Sequence, residues 1–138
     1  MKKSYPDLAA LLLRVVFGAL MLPHGYKKIE KLQALWDRPE VLENIDLLTP
    51  KSADPLGIGE EATLIIAIVV ELLFSALVIL GVKVRITTLP LIATMGVAAF
   101  MVHADAPFAK KELALLFLAG YLAIFALGAG KYSFKKFR

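Results

Sequence analysis

The 138 residues include no cysteine, so disulfides, thiolate metal sites and dithiol redox chemistry are outside the reach of this chain. Any electrons it handles must travel on another carrier. There is no internal repeat and no low-complexity tract, which removes solenoids and simple linkers from consideration. Histidine is scarce as well: His24 and His103 are the two available.

Apolar residues are plentiful. They make up 59% of the sequence, and the mean hydropathy is +0.71, above the roughly half-apolar make-up of soluble domains. Four apolar runs stand out: Leu8 to Pro23, Ala62 to Val82, Ile86 to Val102 and Leu113 to Ala129. A bilayer with ~30 Å of hydrocarbon calls for about 20 helical residues, each rising ~1.5 Å. The pattern predicts an all-α integral membrane four-helix bundle, one transmembrane domain over 1–138. Its helices are expected at about 6–25, 60–82, 86–103 and 112–130, with a long first loop at 26–59. Arg14 inside the first run, and the lack of a small-residue cleavage site, speak against a secretory signal peptide.

Fifteen of the 16 basic residues and most acids lie away from the midplane of the runs, and their distribution gives an orientation. The N-terminal tail, second loop and C-terminal tail hold Lys2, Lys3, Lys83, Arg85, Lys131, Lys135, Lys136 and Arg138 against Asp7 alone. Basic counts on the two sides are nearly equal, but Lys83, Arg85 and the Lys131–Arg138 tail abut helix ends. The positive-inside rule therefore predicts both termini in the cytoplasm. The pI of about 9.4 is thus cytoplasmic flank, with no nucleic-acid partner implied. A multi-pass protein of the bacterial inner (cytoplasmic) membrane is expected, with the lipid bilayer as its first partner.

In the first loop, Ile29, Leu32, Leu35 and Trp36, then Leu42, Ile45 and Leu48, follow the three-or-four spacing of an amphipathic helix broken near Pro39. This outer loop is expected to lie on the membrane surface or over the mouth of the bundle. As a connector it is structural, and as a lid functional.

Arg14 and Glu71 sit near the centres of their runs, where a charge facing lipid costs roughly 2.5 to 3.5 kcal/mol. They are expected to face inward as an intramembrane ion pair, either fixing helix register or serving a polar headgroup or proton relay. On a helical wheel Arg14 shares a face with Gly18, Met21, Gly25 and Lys28, and Glu71 with Ala67, Ser75 and Val78. The same construction aligns Ile92, Gly96 and His103 on the third helix, and Glu112, Ala119, Ala123, Ala126 and Gly130 on the fourth, as small-residue contact faces.

A four-span protein brings the ends of helices one and three and the start of helix four to one side, gathering His24, Lys28, His103, Asp105 and Glu112 into an outer polar cluster. Two histidines and two carboxylates are generic metal ligands, but no spacing here is diagnostic, and bis-histidine haem ligands normally lie deeper. A quinone headgroup suits the cluster better, because it needs hydrogen-bond donors and a proton source beside an apolar slot. The plainer alternative is that these residues are interfacial caps and counter-charges.

Leu11-Leu12-Leu13-Arg14-Val15-Val16-Phe17-Gly18 followed by His24-Gly25-Tyr26-Lys27-Lys28 resembles the Leu-Arg-x-x-x-Gly and His-Gly-x-x-Lys signature of the DoxX family. Glu71-Leu72-Leu73 with Leu80-Gly81 and Arg85 resembles its second segment. His103-Ala104-Asp105-Ala106-Pro107-Phe108 with Lys111-Glu112-Leu113 resembles the third, and Gly128-Ala129-Gly130-Lys131-Tyr132-Ser133 its closing motif. The likeness covers nearly the whole chain except the first loop. Ser75 stands at a commonly glycine-type position and Ala129 where proline is usual. The resemblance implies a four-helix membrane fold and, for some relatives, a quinone-linked role in thiosulfate oxidation.

The leading expectation is a membrane subunit of a quinone-linked redox system that carries no covalent cofactor and receives electrons from a partner protein. The runner-up is a non-enzymatic scaffold or assembly factor. A small-molecule carrier, which would have to be a homo-oligomer, comes third.

Overall fold

The computed structural model describes residues 5–37, 57–102, 105 and 107–134. Four long helices account for almost all of them. Helix α1 spans Tyr5–Asp37. Helix α2 is built from Glu60–Val69, a π-helical turn Val70–Phe74 and Ser75–Leu80. Helix α3 joins Val84–Val97 to a second π-helical turn, Ala98–Val102. Helix α4 spans Phe108–Leu127 and starts directly after Pro107.

Each helix packs on its neighbours in sequence, and α4 closes back onto α1, so the four form a ring. Polarity is inverted relative to a soluble protein. Arg14, Glu71, Ser75, Thr87 and Thr88 are buried, whereas Leu12, Leu20, Ile66, Leu73, Ile86 and Leu116 face outward. Only a lipid surround makes that arrangement favourable, because the polar groups are held inside and the apolar side chains need no burial by protein. Among the described residues, three helical segments, Tyr5–Ala34, Glu61–Leu80 and Val84–Val102, are long and apolar enough to cross a membrane. The chain is a helical membrane bundle.

The threonine hydroxyls of α3 find partners within their own helix: Thr88 Oγ1 donates to the carbonyl of Val84 at 2.7 Å and Thr94 Oγ1 to that of Pro90 at 2.8 Å. Without water to accept those protons, back-bonding to the helix is the available solution.

Helix α1 corrects one expectation. It was expected to end near residue 25, with an amphipathic outer loop lying on the membrane surface or over the mouth of the bundle, but it runs through Pro23 to Asp37. At ~1.5 Å per residue, 33 residues reach about 50 Å, further than the membrane is thick. The surplus stands up and packs on the start of α2, where Leu32 is buried and Trp36 Nε1 donates to Glu61 Oε1 at 2.9 Å. Leu42, Ile45 and Leu48 lie outside the described residues.

The inner faces also differ. The α1 face of Arg14, Gly18, Met21 and Gly25 is buried, as its wheel predicts, with Lys28 on the same face half-buried and Ala10 extending it. In α4, however, Glu112, Ala119 and Ala126 face out, while Ala114, Phe117, Gly120, Tyr121 and Ile124 face in. Bulk decides this: Phe117 and Tyr121 pack against Phe17 with ring centroids 5.8 and 6.2 Å away, and those contacts outweigh the closer approach an alanine face would allow. In α3 the core positions are Val84, Thr88, Leu91, Met95 and Ala99, one residue out of phase with Ile92 and Gly96.

The turn from α2 to α3 is a Schellman motif. Gly81 takes the left-handed conformation with φ of 79°, its N–H donates to Val78 O at 3.1 Å and the N–H of Val82 donates to Leu77 O at 3.0 Å.

Candidate functional site

Arg14 and Glu71 are both wholly buried, yet they do not pair. The guanidinium of Arg14 donates to the carbonyls of Val78 at 3.5 Å and Ile79 at 3.4 Å through Nη1, and to that of Tyr132 at 2.8 Å through Nη2. It therefore ties α1 to the end of α2 and to the segment after α4. Glu71 lies about two helical turns from that level and accepts from Lys28 instead, with Nζ 2.6 Å from Oε1. The expectation of an Arg14–Glu71 pair failed because it centred the first helix on the apolar run Leu8 to Pro23. Because α1 is longer, Arg14 lies in its first third, and the basic residue level with Glu71 is Lys28.

The Lys28–Glu71 pair is asymmetric, with the glutamate side chain 2% exposed and the lysine 35%. Oε2 of Glu71 is buried and has no hydrogen-bond partner among the described residues. Such an atom is costly unless a ligand or water meets it. The residue sits within the π-helical turn Val70–Phe74, a wide turn of the kind often found at functional positions. Close approach of α1 makes the pairing possible: a Cβ on Gly25 would come within 2.7 Å of Leu72 and 3.3 Å of the Glu71 Cβ.

Beside the pair lies a cavity of about 130 Å³ to which all four helices contribute. Met21, His24 and Lys28 come from α1, Glu71 from α2, Met95 and Ala98 from α3, and Leu113, Ala114 and Phe117 from α4. Ala98 belongs to the second π-helical turn, so both wide turns border this one space. The His24 imidazole stands edge-on to the Phe117 ring at 5.6 Å. Lysine and histidine supply donors and the free carboxylate oxygen an acceptor, while Met21, Met95 and Phe117 give polarisable apolar walls.

Of the expected polar cluster, the structure brings together His24 and Lys28 and adds Glu71. Asp105 is exposed in the turn before α4, and Glu112 is exposed on α4, so neither lines the cavity. His103 lies outside the described residues. Among the described residues no three histidine, aspartate or glutamate side chains gather as a metal site would require. The apolar lining was not singled out in the sequence, although its signal is there: Met21, His24 and Lys28 recur at three- and four-residue intervals, as do Ala114, Phe117 and Tyr121.

Comparison with curated proteins and with solved structures yields no match to either. The family model described as DoxX matches residues 9–104, from the third residue before the Leu12-Leu13-Arg14 stretch through α3. That span takes in Arg14, His24, Lys28 and Glu71, and on it the chain belongs to the DoxX family.

Proposed function

We propose that this DoxX-family protein is a multi-pass protein of the bacterial inner membrane, with both termini cytoplasmic, whose internal polar cavity takes a quinone headgroup. Its electrons are exchanged with a partner protein. One observation carries the reading: Oε2 of Glu71, buried and without a partner among the described residues, beside a ring-sized cavity that also holds His24 and Lys28. An apolar void of about 150 Å³ is known to accept a benzene ring, so about 130 Å³ is of the right order for one six-membered head.

The donor set fits both redox forms. The Lys28 ammonium and a His24 N–H suit a quinone carbonyl, and the free Glu71 oxygen suits the hydroxyl of a quinol. Leu113 both lines the cavity and is 47% exposed, giving an apolar tail a way out to lipid. The bound group supplies two-electron, two-proton chemistry. The chain itself holds the head, excludes water with Met21, Met95 and Phe117, and keeps the partly exposed Lys28 as the link between Glu71 and the outside.

The test is titration of a short-tailed quinone analogue into detergent-purified protein, together with mass spectrometry of its extracted lipids. Saturable binding is expected, weakened about tenfold by Glu71→Gln or His24→Ala. If folded protein shows no saturable binding, or the variants bind as well as the parent, the redox reading gives way to the non-enzymatic scaffold.

A further inference from the structure

A second cavity, of about 630 Å³, lies about 25 Å along α1 from His24. It is walled by the start of α1, the turn into α3, and the segment that follows α4. Three cations, Lys83, Arg85 and Lys131, face it with one carboxylate, Asp7. Asp7 is engaged, since its Oδ1 accepts the backbone N–H of Lys131 at 3.0 Å. Lys83 and Arg85 are exposed, and the described residues place no carboxylate in ion-pair distance of either. The backbone supports this placement. Lys83 takes a left-handed conformation with φ of 40°, and a Cβ on Gly128 would lie 3.5 Å from Arg85 Nε, so the guanidinium rests over bare main chain.

Three like charges around one concavity repel each other unless an anion sits between them. The Gly81–Lys83 turn connects two long apolar helices, which puts these charges at a membrane surface rather than in its interior. Below them the lining changes character. Ile86 is 61% exposed and Leu127 42% exposed, and both continue the cavity wall onto the lipid-facing surface. A site that is cationic at its rim and apolar toward lipid fits a ligand with an anionic head and hydrocarbon chains.

We propose that the cavity between Lys83, Arg85 and Lys131 binds the phosphate of an anionic phospholipid, whose acyl chains lie along Ile86 and Leu127. The volume is many times the ~30 Å³ share of one water and leaves room for a glycerol-sized headgroup beyond the phosphate. Occupancy neutralises the cluster and bridges the start of α1, the α2–α3 turn and the end of α4. The site is separate from the one around Glu71 and stands whether or not that cavity takes a quinone.

The test uses full-length protein, delipidated in an uncharged detergent, with short-chain phosphatidylglycerol, short-chain phosphatidylcholine and inorganic phosphate as probes. Binding is read by native mass spectrometry and by the shift in Tm. Phosphatidylglycerol is expected to bind and raise Tm, and the other two to do neither. Lys83→Gln, Arg85→Gln and Lys131→Gln should each weaken phosphatidylglycerol binding roughly fivefold, and Lys27→Gln, an exposed cation elsewhere on α1, should leave it unchanged. The three substituted side chains are exposed, and circular dichroism confirms that each variant is folded. An equal response to phosphatidylcholine, or undiminished binding with all three cations neutralised, overturns the proposal. An equal response to inorganic phosphate overturns it in favour of a soluble anion.

Discussion

Lys28 Nζ stands 2.6 Å from Glu71 Oε1, while Arg14, fully buried on the same face of α1, touches no carboxylate and is held by three backbone carbonyls. The two cations of one helix face thus do different work. In a double-mutant cycle Lys28→Ala and Glu71→Ala should show a coupling of about 1 to 3 kcal/mol, because losing Lys28 strands the buried carboxylate of Glu71. Arg14→Ala and Glu71→Ala should be additive within about 0.5 kcal/mol. Unfolding of purified protein in detergent measures both, and coupling of the Arg14–Glu71 kind would disprove the assignment.

Arg14→Ala should destabilise the bundle by about 3 kcal/mol or more, since it removes hydrogen bonds from a charged donor and leaves the carbonyls of Val78, Ile79 and Tyr132 without it. Arg14→Lys should recover only part of the loss, because an ammonium cannot span three acceptors as a planar guanidinium does. Equal stability of the lysine variant and the parent, in the same unfolding measurement, would contradict this geometry.

Gly81 and Gly57 both have positive φ, 79° and 69°, but differ in surroundings. A Cβ on Gly57 meets nothing within 4 Å, whereas one on Gly81 collides with the Arg14 guanidinium and with Ser133. Gly57→Ala should therefore cost only the left-handed penalty of about 1 kcal/mol, and Gly81→Ala distinctly more. Thermal unfolding of the two variants side by side gives the comparison.

Pro23 faces outward in the interior of α1, where it denies the helix one hydrogen bond. Pro23→Ala restores that donor without disturbing the core, so the variant should be at least as stable as the parent, by up to about 3 kcal/mol. A loss of stability would mean that the proline shapes the helix rather than burdening it.

For orientation, a reporter active only in the cytoplasm should work when fused after Arg138, and one active only outside should work when inserted near Gly57. The reverse result at both positions would invert the proposed topology.

Pro23 also marks where the sequence misleads. Proline followed by His24 and two lysines reads as a helix leaving the membrane, and in water it often ends one. Packing of α1 on α2 and α4 carries the helix past it, and with the end point wrong, the depth of Arg14 and hence its partner came out wrong too. The facing of α1 was legible regardless, because Arg14, Gly18, Met21 and Gly25 recur with helical period whatever the helix length. The facing of α4 was not. Alanines and aromatics alternate around that helix, and only the position of Phe17 on α1 selects which of them turn inward. The cavity beside Glu71 draws on all four helices, so no local stretch of sequence encodes it.

The hydrogen bonds that fasten the segment after α4 link residues far apart in the chain: Arg14 to Tyr132 across 118 positions, and Lys131 to Asp7 across 124. A ribosome makes Arg14 long before Tyr132 exists. Throughout that interval the guanidinium has only the carbonyls at the end of α2 to hold, and these too appear only once α2 is made. Assembly therefore has a forced order, in which α1 waits in the membrane with an unquenched charge and the final contacts form only near the end of translation.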